Sequence, residues 1–203
     1  MGPAGLRVLA AGVADAAGPV PPGGPGTAGV LALFSAENDP TLVLTVRSQQ
    51  VSQPGQISFP GGEWEPGDAD LVATALREAR EEVGLVPRDA HVLGCLPPAR
   101  LSRGVRPIVP VVAWCDGMAG LAVQDPGEVA AVLRWPVSVL ADPASRLLAE
   151  HPDGRTAPAW LIGDDFLWGF TAGVVDRLLR LGGWERPWDR TRVAPVPARW
   201  RRR

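Results

Sequence analysis

The chain has 203 residues, 46% of them hydrophobic and 21% charged, with a formal net charge of -2. These values predict one soluble globular domain with short extensions and give no electrostatic reason to expect a nucleic acid or a membrane as partner. Two cysteines without a Cys-x-x-Cys pattern exclude a disulfide framework and a cysteine zinc site. No apolar run reaches the length of a spanning helix, and no signal peptide is evident, so a cytoplasmic location is expected.

Both ends of the chain differ in composition from the middle. Residues 1–27 end in a Pro- and Gly-rich run, which predicts a flexible N-terminal extension. Residues 184–203 are rich in Arg, Pro and Trp without periodicity, which predicts a solvated basic C-terminal tail. Such a tail could also contact anionic lipid or nucleic acid, a less favoured alternative. The folded domain is therefore expected at residues 28–183.

Within that domain, β-branched and apolar runs predict strands, and 3.6-residue periodicity predicts helices. The predicted helices span residues 70–83, ending at Gly84, and 171–181, ending at Gly182. Strands are predicted at residues 30–34, 41–46, 57–59, 91–96, 108–114, 129–135 and 160–162. Mixed strands with helices on both sides indicate an α/β protein, an α/β/α sandwich around a mixed sheet.

The first predicted helix carries a cluster of carboxylates. Glu78, Glu81 and Glu82 stand at positions i, i+3 and i+4, which share one helix face. Apolar residues are expected on the opposite face, where they can anchor the helix to a sheet: Val72, Leu76, Ala79 and Val83. A solvated acidic face is the simpler interpretation, but the preceding Gly61-Gly62 turn favours a site for Mg²⁺ or Mn²⁺, which prefer oxygen ligands.

The segment around this helix resembles a known sequence motif. The pattern Arg-Glu-x-x-Glu-Glu-x-Gly-Leu after a Gly-Gly turn is similar to the Nudix box. The matching residues are Arg77, Glu78, Glu81, Glu82, Gly84 and Leu85. The upstream half departs from the general pattern by one inserted residue, and either Asp68 or Asp70 could take the place of its acidic residue.

Further segments resemble the coenzyme A-hydrolysing subgroup of that family. The subgroup motif upstream of the box is matched by Leu44, Thr45, Arg47, Ser48, Gly55 and the run Phe59-Pro60-Gly61-Gly62. Ser52 stands near the place of the motif's second Arg. The run Trp168-Gly169-Phe170-Thr171-Ala172 is also similar to a subgroup motif, so the resemblance extends over about residues 28–182.

The resemblance implies an activity: Mg²⁺- or Mn²⁺-dependent hydrolysis of the diphosphate bond of coenzyme A or acyl-CoA. The products would be 3′,5′-ADP and 4′-phosphopantetheine or its acyl form. The implied metal ligands are Glu78, Glu82, Glu81 and the backbone carbonyl of Gly62 or its neighbour, with Glu81 alternatively orienting the water.

Other residues receive roles from the same resemblance. Arg77 would hold the carboxylates in place, and Glu128 would act as general base or further metal ligand, although it could also be an ordinary loop acid. Arg47, Ser48 and Gly61 would contact substrate, and Arg103 and Arg106 are weaker candidates for the 3′-phosphate.

Two other functions stay open from the sequence. One is a Nudix hydrolase acting on another nucleoside diphosphate derivative or a damaged nucleotide, which the absent second motif Arg favours. The other is a non-catalytic Nudix-fold binding module, which the complete set of box carboxylates opposes. A small-molecule substrate is expected in either enzymatic case, and a homodimer is common in this fold.

Overall fold

The structure is a computed structural model, and it describes residues 4–100 and 107–200, except for the side chain of Arg100. Candidates Arg103 and Arg106 lie outside the described residues. The described residues form four α-helices: α1 (Ala4–Ala16), α2 (Leu71–Val83), α3 (Val137–Leu140) and α4 (Gly169–Leu181). They also form twelve strands: β1 (Ala28–Ser35), β2 (Thr41–Arg47), β3 (Ile57–Ser58), β4 (Gly61–Glu63), β5 (Ala90–Cys95), β6 (Ala99–Arg100), β7 (Pro107–Cys115), β8 (Val129–Pro136), β9 (Arg146–Glu150), β10 (Thr156–Ile162), β11 (Asp165–Leu167) and β12 (Val193–Pro195).

A mixed sheet of eight strands forms the centre of the molecule. Its main path runs β3-β2-β1-β7-β5, while β4 pairs with β1, β6 with β7 and β8 with β2. The β1 and β7 strands are parallel, and the other pairs in this sheet are antiparallel. The connection between the two parallel strands contains α2, which therefore packs on the sheet.

The alternation of side chains along β1 separates two hydrophobic layers. Leu31 and Leu33 face the layer that contains α2, whereas Ala32 and Phe34 face the layer that contains α1 and α4. Helices thus cover both faces of the central sheet. The predicted α/β/α sandwich with a mixed sheet is confirmed.

A second sheet of four strands, in the order β11-β10-β9-β12, lies beside the first. It joins α4 through Arg146, whose fully buried guanidinium pairs with Asp176 of that helix. The same guanidinium lies over the rings of Trp160 and Trp188. Burial tends to lower the pKa of Arg146, while the charge of Asp176 acts to raise it. A charged side chain at this depth needs such a partner, since an isolated buried charge would be strongly destabilising.

The N-terminal segment differs from the predicted flexible extension. Residues 4–16 form α1, and the side chains of Leu6, Leu9 and Val13 are buried against the central sheet. Their spacing places them on one helix face, which gives the segment its own packing energy. The Pro/Gly-rich residues after α1 connect this helix to β1 and are the part that lacks regular structure.

The C-terminal segment also differs from the predicted solvated tail. The β12 strand pairs in parallel with β9, and Val196 and Trp200 are buried in a small cluster with residues of the second sheet. Pairing of a short strand through its backbone needs no side-chain periodicity, so composition alone gave no sign of it.

The remaining predicted elements agree closely with the structure. Asp70 caps α2 by accepting a hydrogen bond from the Ala73 amide at 2.8 Å, and Gly84 ends the helix with a φ of 76°. The predicted strands all appear, with shifted ends, while β4, β6, β9, β11 and β12 are not among the predicted elements. Among the described helices, none is both long and apolar enough to cross a bilayer.

Burial of α1 predicts that this helix contributes to the stability of the domain. We expect Leu9→Ala to lower the free energy of unfolding by about 2–5 kcal/mol, because it leaves a cavity in the main core. Val8→Ala is the matched control: Val8 is 52% exposed, so the change should stay within about 0.5 kcal/mol. Urea denaturation of the three proteins measures both effects, and equal midpoints for the two variants would contradict the packing role of α1.

Candidate active site

Three carboxylates meet at the sheet-facing edge of α2. One oxygen from each of Glu78, Glu82 and Glu128 lies within 4.8 Å of the other two. The first two come from α2, and Glu128 comes from the loop before β8, more than forty residues further along the chain. Like charges at this separation repel, so an arrangement of this kind calls for a cation or a proton between them.

Glu82 is the most deeply buried member of this carboxylate cluster, with only 6% of its surface exposed. Its Oε2 accepts a hydrogen bond from the Gly61 amide at 3.1 Å, which ties α2 to β4. Burial raises the pKa of Glu82 to about 8; the Gly61 hydrogen bond lowers it, and the charges of Glu78 and Glu128 add to the increase. Burial likewise raises the pKa of Glu78, although Arg77 opposes the shift.

The Gly-Gly turn provides the close approach that this geometry needs. A Cβ at position 62 would lie 2.5 Å from Oε1 of Glu78, and one at position 61 would lie 2.5 Å from the Gly29 carbonyl oxygen. Gly61 also has a φ of 150°, a conformation that L side chains rarely adopt. Both positions therefore require glycine, and the backbone of β4 lies directly against the carboxylate cluster.

Arg77 links the helix to the loop before it. Its guanidinium donates to both carboxylate oxygens of Asp68 at 3.1 Å, to the Glu63 carbonyl at 3.0 Å and to Glu81 at 3.0 Å, and it lies 3.0 Å from Glu78. The hydrogen bonds with Asp68 raise the pKa of Arg77 above its ordinary value. With Asp70 used as the helix cap, Asp68 is the acidic partner of the box arginine.

Asp68 stays ionised because of these contacts. Burial acts to raise the pKa of Asp68, but hydrogen bonds from Arg77, the Glu65 amide and Thr74 together lower it below its ordinary value. The ion pair is largely shielded from water, since 18% of the Arg77 side chain and 6% of the Asp68 side chain are exposed. The pair therefore forms a fixed support beneath the carboxylate cluster.

Glu81 lies outside this cluster. Its side chain is 46% exposed, and its two carboxylate oxygens pair with Arg77 and Arg80. The predicted shared face of Glu78, Glu81 and Glu82 thus divides in the folded protein: Glu82 turns into the core and Glu81 turns towards solvent. The division follows from helix geometry, because the consecutive residues Glu81 and Glu82 point about 100° apart on a helix with about 3.6 residues per turn.

Ser48 holds the loop that carries Glu128. The Ser48 amide donates to the Glu128 carbonyl at 2.8 Å, and the Ser48 hydroxyl donates to the Gly127 carbonyl. Ser48 is itself buried. The hydroxyl predicted to contact substrate is therefore already engaged in positioning Glu128.

Arg47 lies beside the cluster at the end of β2. It pairs across the strands with Val129, the residue after Glu128, and its charge lowers the pKa of Glu82. The guanidinium donates to the Ser52 carbonyl at 2.8 Å, and its Nη2 lies 3.4 Å from the Ser52 hydroxyl. Ser52, which stands near the place of the second Arg of the subgroup motif, is thus a hydrogen-bond partner of Arg47.

These donors fit a hard divalent cation. The three carboxylates of the cluster lie close together, and Glu128 is the exposed one. The backbone of Gly62 lies against them, and Glu78 occupies the position that a Cβ of residue 62 would take. Oxygen ligands of this number and charge suit Mg²⁺ or Mn²⁺ rather than soft metals. The cluster therefore has the composition of a site for a divalent cation.

An α/β/α sandwich with a helix-borne carboxylate cluster against a glycine turn defines a class of metal-dependent phosphoanhydride hydrolases. The NUDIX domain family model matches residues 25–146, more than half of the chain, and the chain belongs to the Nudix family. It is a Nudix pyrophosphohydrolase, as predicted from the box residues.

Two relatives agree with this assignment, and a solved structure shares the fold. An uncharacterized Nudix hydrolase NudL from Enterobacter sp. is 37% identical over 164 residues, 76% of this chain and 82% of the relative. The human mitochondrial coenzyme A diphosphatase NUDT8 is 34% identical over 171 residues, 77% of this chain and 70% of the relative. A Nudix hydrolase structure from M. smegmatis, RenU, shares the fold with a TM-score of 0.53 at 16% identity, covering 81% of this chain and 89% of that one.

The geometry predicts unequal contributions of the helix carboxylates to cation binding. We expect Glu82→Gln to weaken Mn²⁺ binding by at least about tenfold, because it removes a charged oxygen from the cluster. Glu81→Gln, the matched control on the same helix, should change the affinity by less than about threefold. Calorimetric titration with Mn²⁺ measures both. Equal losses would show that Glu81 is a ligand and that the cluster is larger than the three carboxylates.

Proposed function

We propose that this protein hydrolyses the diphosphate bond of coenzyme A or its thioesters in a Mg²⁺-dependent reaction. The observation that carries the proposal is the position of Arg47 and Ser48. These residues belong to the motif that resembles the coenzyme A subgroup, and they lie against the loop that carries Glu128. The human mitochondrial coenzyme A diphosphatase NUDT8 is 34% identical over 77% of this chain, and this similarity supports the same substrate class.

Glu78, Glu82 and Glu128 would hold the cation, together with the backbone carbonyl of Gly62. When bound, Mg²⁺ would neutralise charge on the diphosphate oxygens and lower the pKa of a bound water. Glu128 is the exposed carboxylate of the three, so it is the one that solvent and substrate can reach. We assign Glu128 the role of general base, which accepts the proton from the attacking water.

The other residues bind and position. Arg47 supplies the guanidinium for a phosphate oxygen, a geometry that suits phosphate well. Arg77 holds Glu78 in place through the support described above and does not need to touch the substrate. Addition of water across the phosphoanhydride bond then yields 3′,5′-ADP and 4′-phosphopantetheine, with the transferred proton leaving from Glu128.

A second candidate is hydrolysis of another nucleoside diphosphate derivative. The observation that favours it is Ser52, which lies beside Arg47 near the place where the subgroup motif has a second Arg. A site with one guanidinium fewer would bind a less highly charged substrate more readily than coenzyme A with its additional 3′-phosphate.

The homodimer and the cytoplasmic location stay predictions.

The reaction itself is tested with purified protein, coenzyme A and Mg²⁺. We expect metal-dependent release of 3′,5′-ADP, resolved by chromatography, and a loss of at least about a hundredfold in kcat with Glu82→Gln. Release that persists in excess chelator would contradict a cation-dependent reaction. No release from coenzyme A, with turnover of another diphosphate in a substrate panel, would favour the second candidate.

Removal of Arg47 should separate substrate binding from catalysis. We expect Arg47→Ala to raise KM for coenzyme A by about tenfold, because the variant loses a charge-assisted hydrogen bond to a substrate phosphate. The control is Arg88→Ala, since Arg88 is exposed and its ion pair with Asp89 measures 3.8 Å. Steady-state kinetics of both variants decide the point, and an unchanged KM in Arg47→Ala would remove Arg47 from the binding site.

A further inference from the structure

The loop between β2 and β3, residues 48–56, is attached to two parts of the molecule. At its start, Ser48 bonds to the backbone around Glu128, and Arg47 donates to Ser52 within the loop. At its other end, the indole Nε1 of Trp200 donates to the Pro54 carbonyl at 2.9 Å. The loop therefore connects the site with a segment 146 residues away in sequence.

The loop has a conformation that needs external support. Gln53 has a φ of 59°, a left-handed value that residues other than glycine adopt at a cost. Its backbone hydrogen bonds are those of a short hairpin end. The Arg47 amide donates to the Gln56 carbonyl at 2.9 Å, the Gly55 amide to the Arg47 carbonyl at 2.9 Å, and the Gln56 amide to the Gln53 carbonyl at 3.3 Å. Contacts from elsewhere in the fold are required to keep such a loop in one arrangement.

Residues 193–200, here named the brace segment, supply that support. Its strand β12 is fixed by pairing with β9, and the Val196 amide donates to the Glu150 carbonyl at 3.0 Å. The ring of Trp200 is 7% exposed and stacks on Trp168, with ring centroids 6.1 Å apart. A Cβ added at Gly55 would lie 3.9 Å from Cζ2 of Trp200, so the ring lies beside this part of the loop.

We propose that the brace segment supports the substrate site from behind loop 48–56, and that Trp200 is a positioning residue which holds this loop so that Arg47 faces the substrate phosphates. The proposal rests on the proposed function, because it assumes that Arg47 binds a diphosphate. Trp200 acts through the Pro54 carbonyl and the loop and does not touch the reacting atoms. Its loss should therefore affect KM more than kcat or cation binding.

The test compares two Trp→Phe variants in the full chain. Trp200→Phe keeps an aromatic ring in the cluster but removes the N–H that bonds to Pro54. Trp188→Phe is the control, because its buried indole N–H has no hydrogen-bond partner among the described residues. For Trp200→Phe we expect KM for coenzyme A to rise about threefold to tenfold, the effect of one lost hydrogen bond, with kcat and Mn²⁺ affinity unchanged. Trp188→Phe should match the wild type.

Amide hydrogen exchange provides a second readout that does not depend on the substrate. Peptides covering residues 48–56 should exchange faster in Trp200→Phe and not in Trp188→Phe. Unchanged exchange in this loop would overturn the brace, and faster exchange with an unchanged KM would overturn its role in substrate binding. If the wild type does not hydrolyse coenzyme A, the proposed function fails, while the exchange result still decides whether Trp200 holds the loop.

Discussion

Mutual repulsion among three carboxylates is the constraint on which the architecture of the site depends. If all three were ionised, each pair of charges at about 4 Å and an effective dielectric of ~20 would cost roughly 4 kcal/mol. The fold compensates in part: Arg77 lies beside Glu78, and the Gly61 amide donates to Glu82. The remaining negative charge favours a cation, and binding of one would relieve the electrostatic cost that the folded chain carries.

That constraint fixes the backbone around the site. The Gly61 amide can reach Glu82 only if β4 lies against α2, and both glycines of the turn are needed for this contact. The Arg77–Asp68 pair then sets the position of the helix relative to the preceding loop. Since β4 also pairs with β1, the site is attached directly to the central sheet. A rigid frame of this kind is what a reaction that depends on placement of water and phosphate requires.

Local signals account for the parts of the fold and site that could be predicted from sequence. The predicted bounds of α2 agree with the structure because Asp70 and Gly84 are capping residues. The box resemblance predicts Glu78 and Glu82 as ligands of one site, and the subgroup resemblance offers Glu128 as a base or further ligand there. The same motif could not separate Glu81 from its neighbours, because exposure depends on how the helix is rotated against the sheet. The buried side of α2 carries Leu71, Ala75 and Ala79, whereas Val72 and Leu76 of the predicted packing face are only half-buried.

Long-range contacts account for the parts that were missed. The α1 helix was overlooked because the Pro/Gly-rich residues after it dominate the composition of residues 1–27, although Leu6, Leu9 and Val13 are spaced for one helix face. Strand β12 has no periodic pattern of its own and exists through its pairing with β9. The bond between Trp200 and Pro54 joins residues whose proximity only the folded chain can show.

Much of the hydrophobic interior formed by the described residues lies outside the segment that the family model matches. The match spans 25–146, whereas α1 and α4, which cover one face of the central sheet, fall before and after it. A polypeptide cut at those limits would keep the carboxylate cluster but leave Ala32, Phe34 and their neighbours facing water. A sheet with one bare apolar face and exposed edges pairs readily with other chains. The unit recognised by motif is therefore smaller than the unit that can fold, and the two flanking helices belong to the enzyme as much as its catalytic helix does.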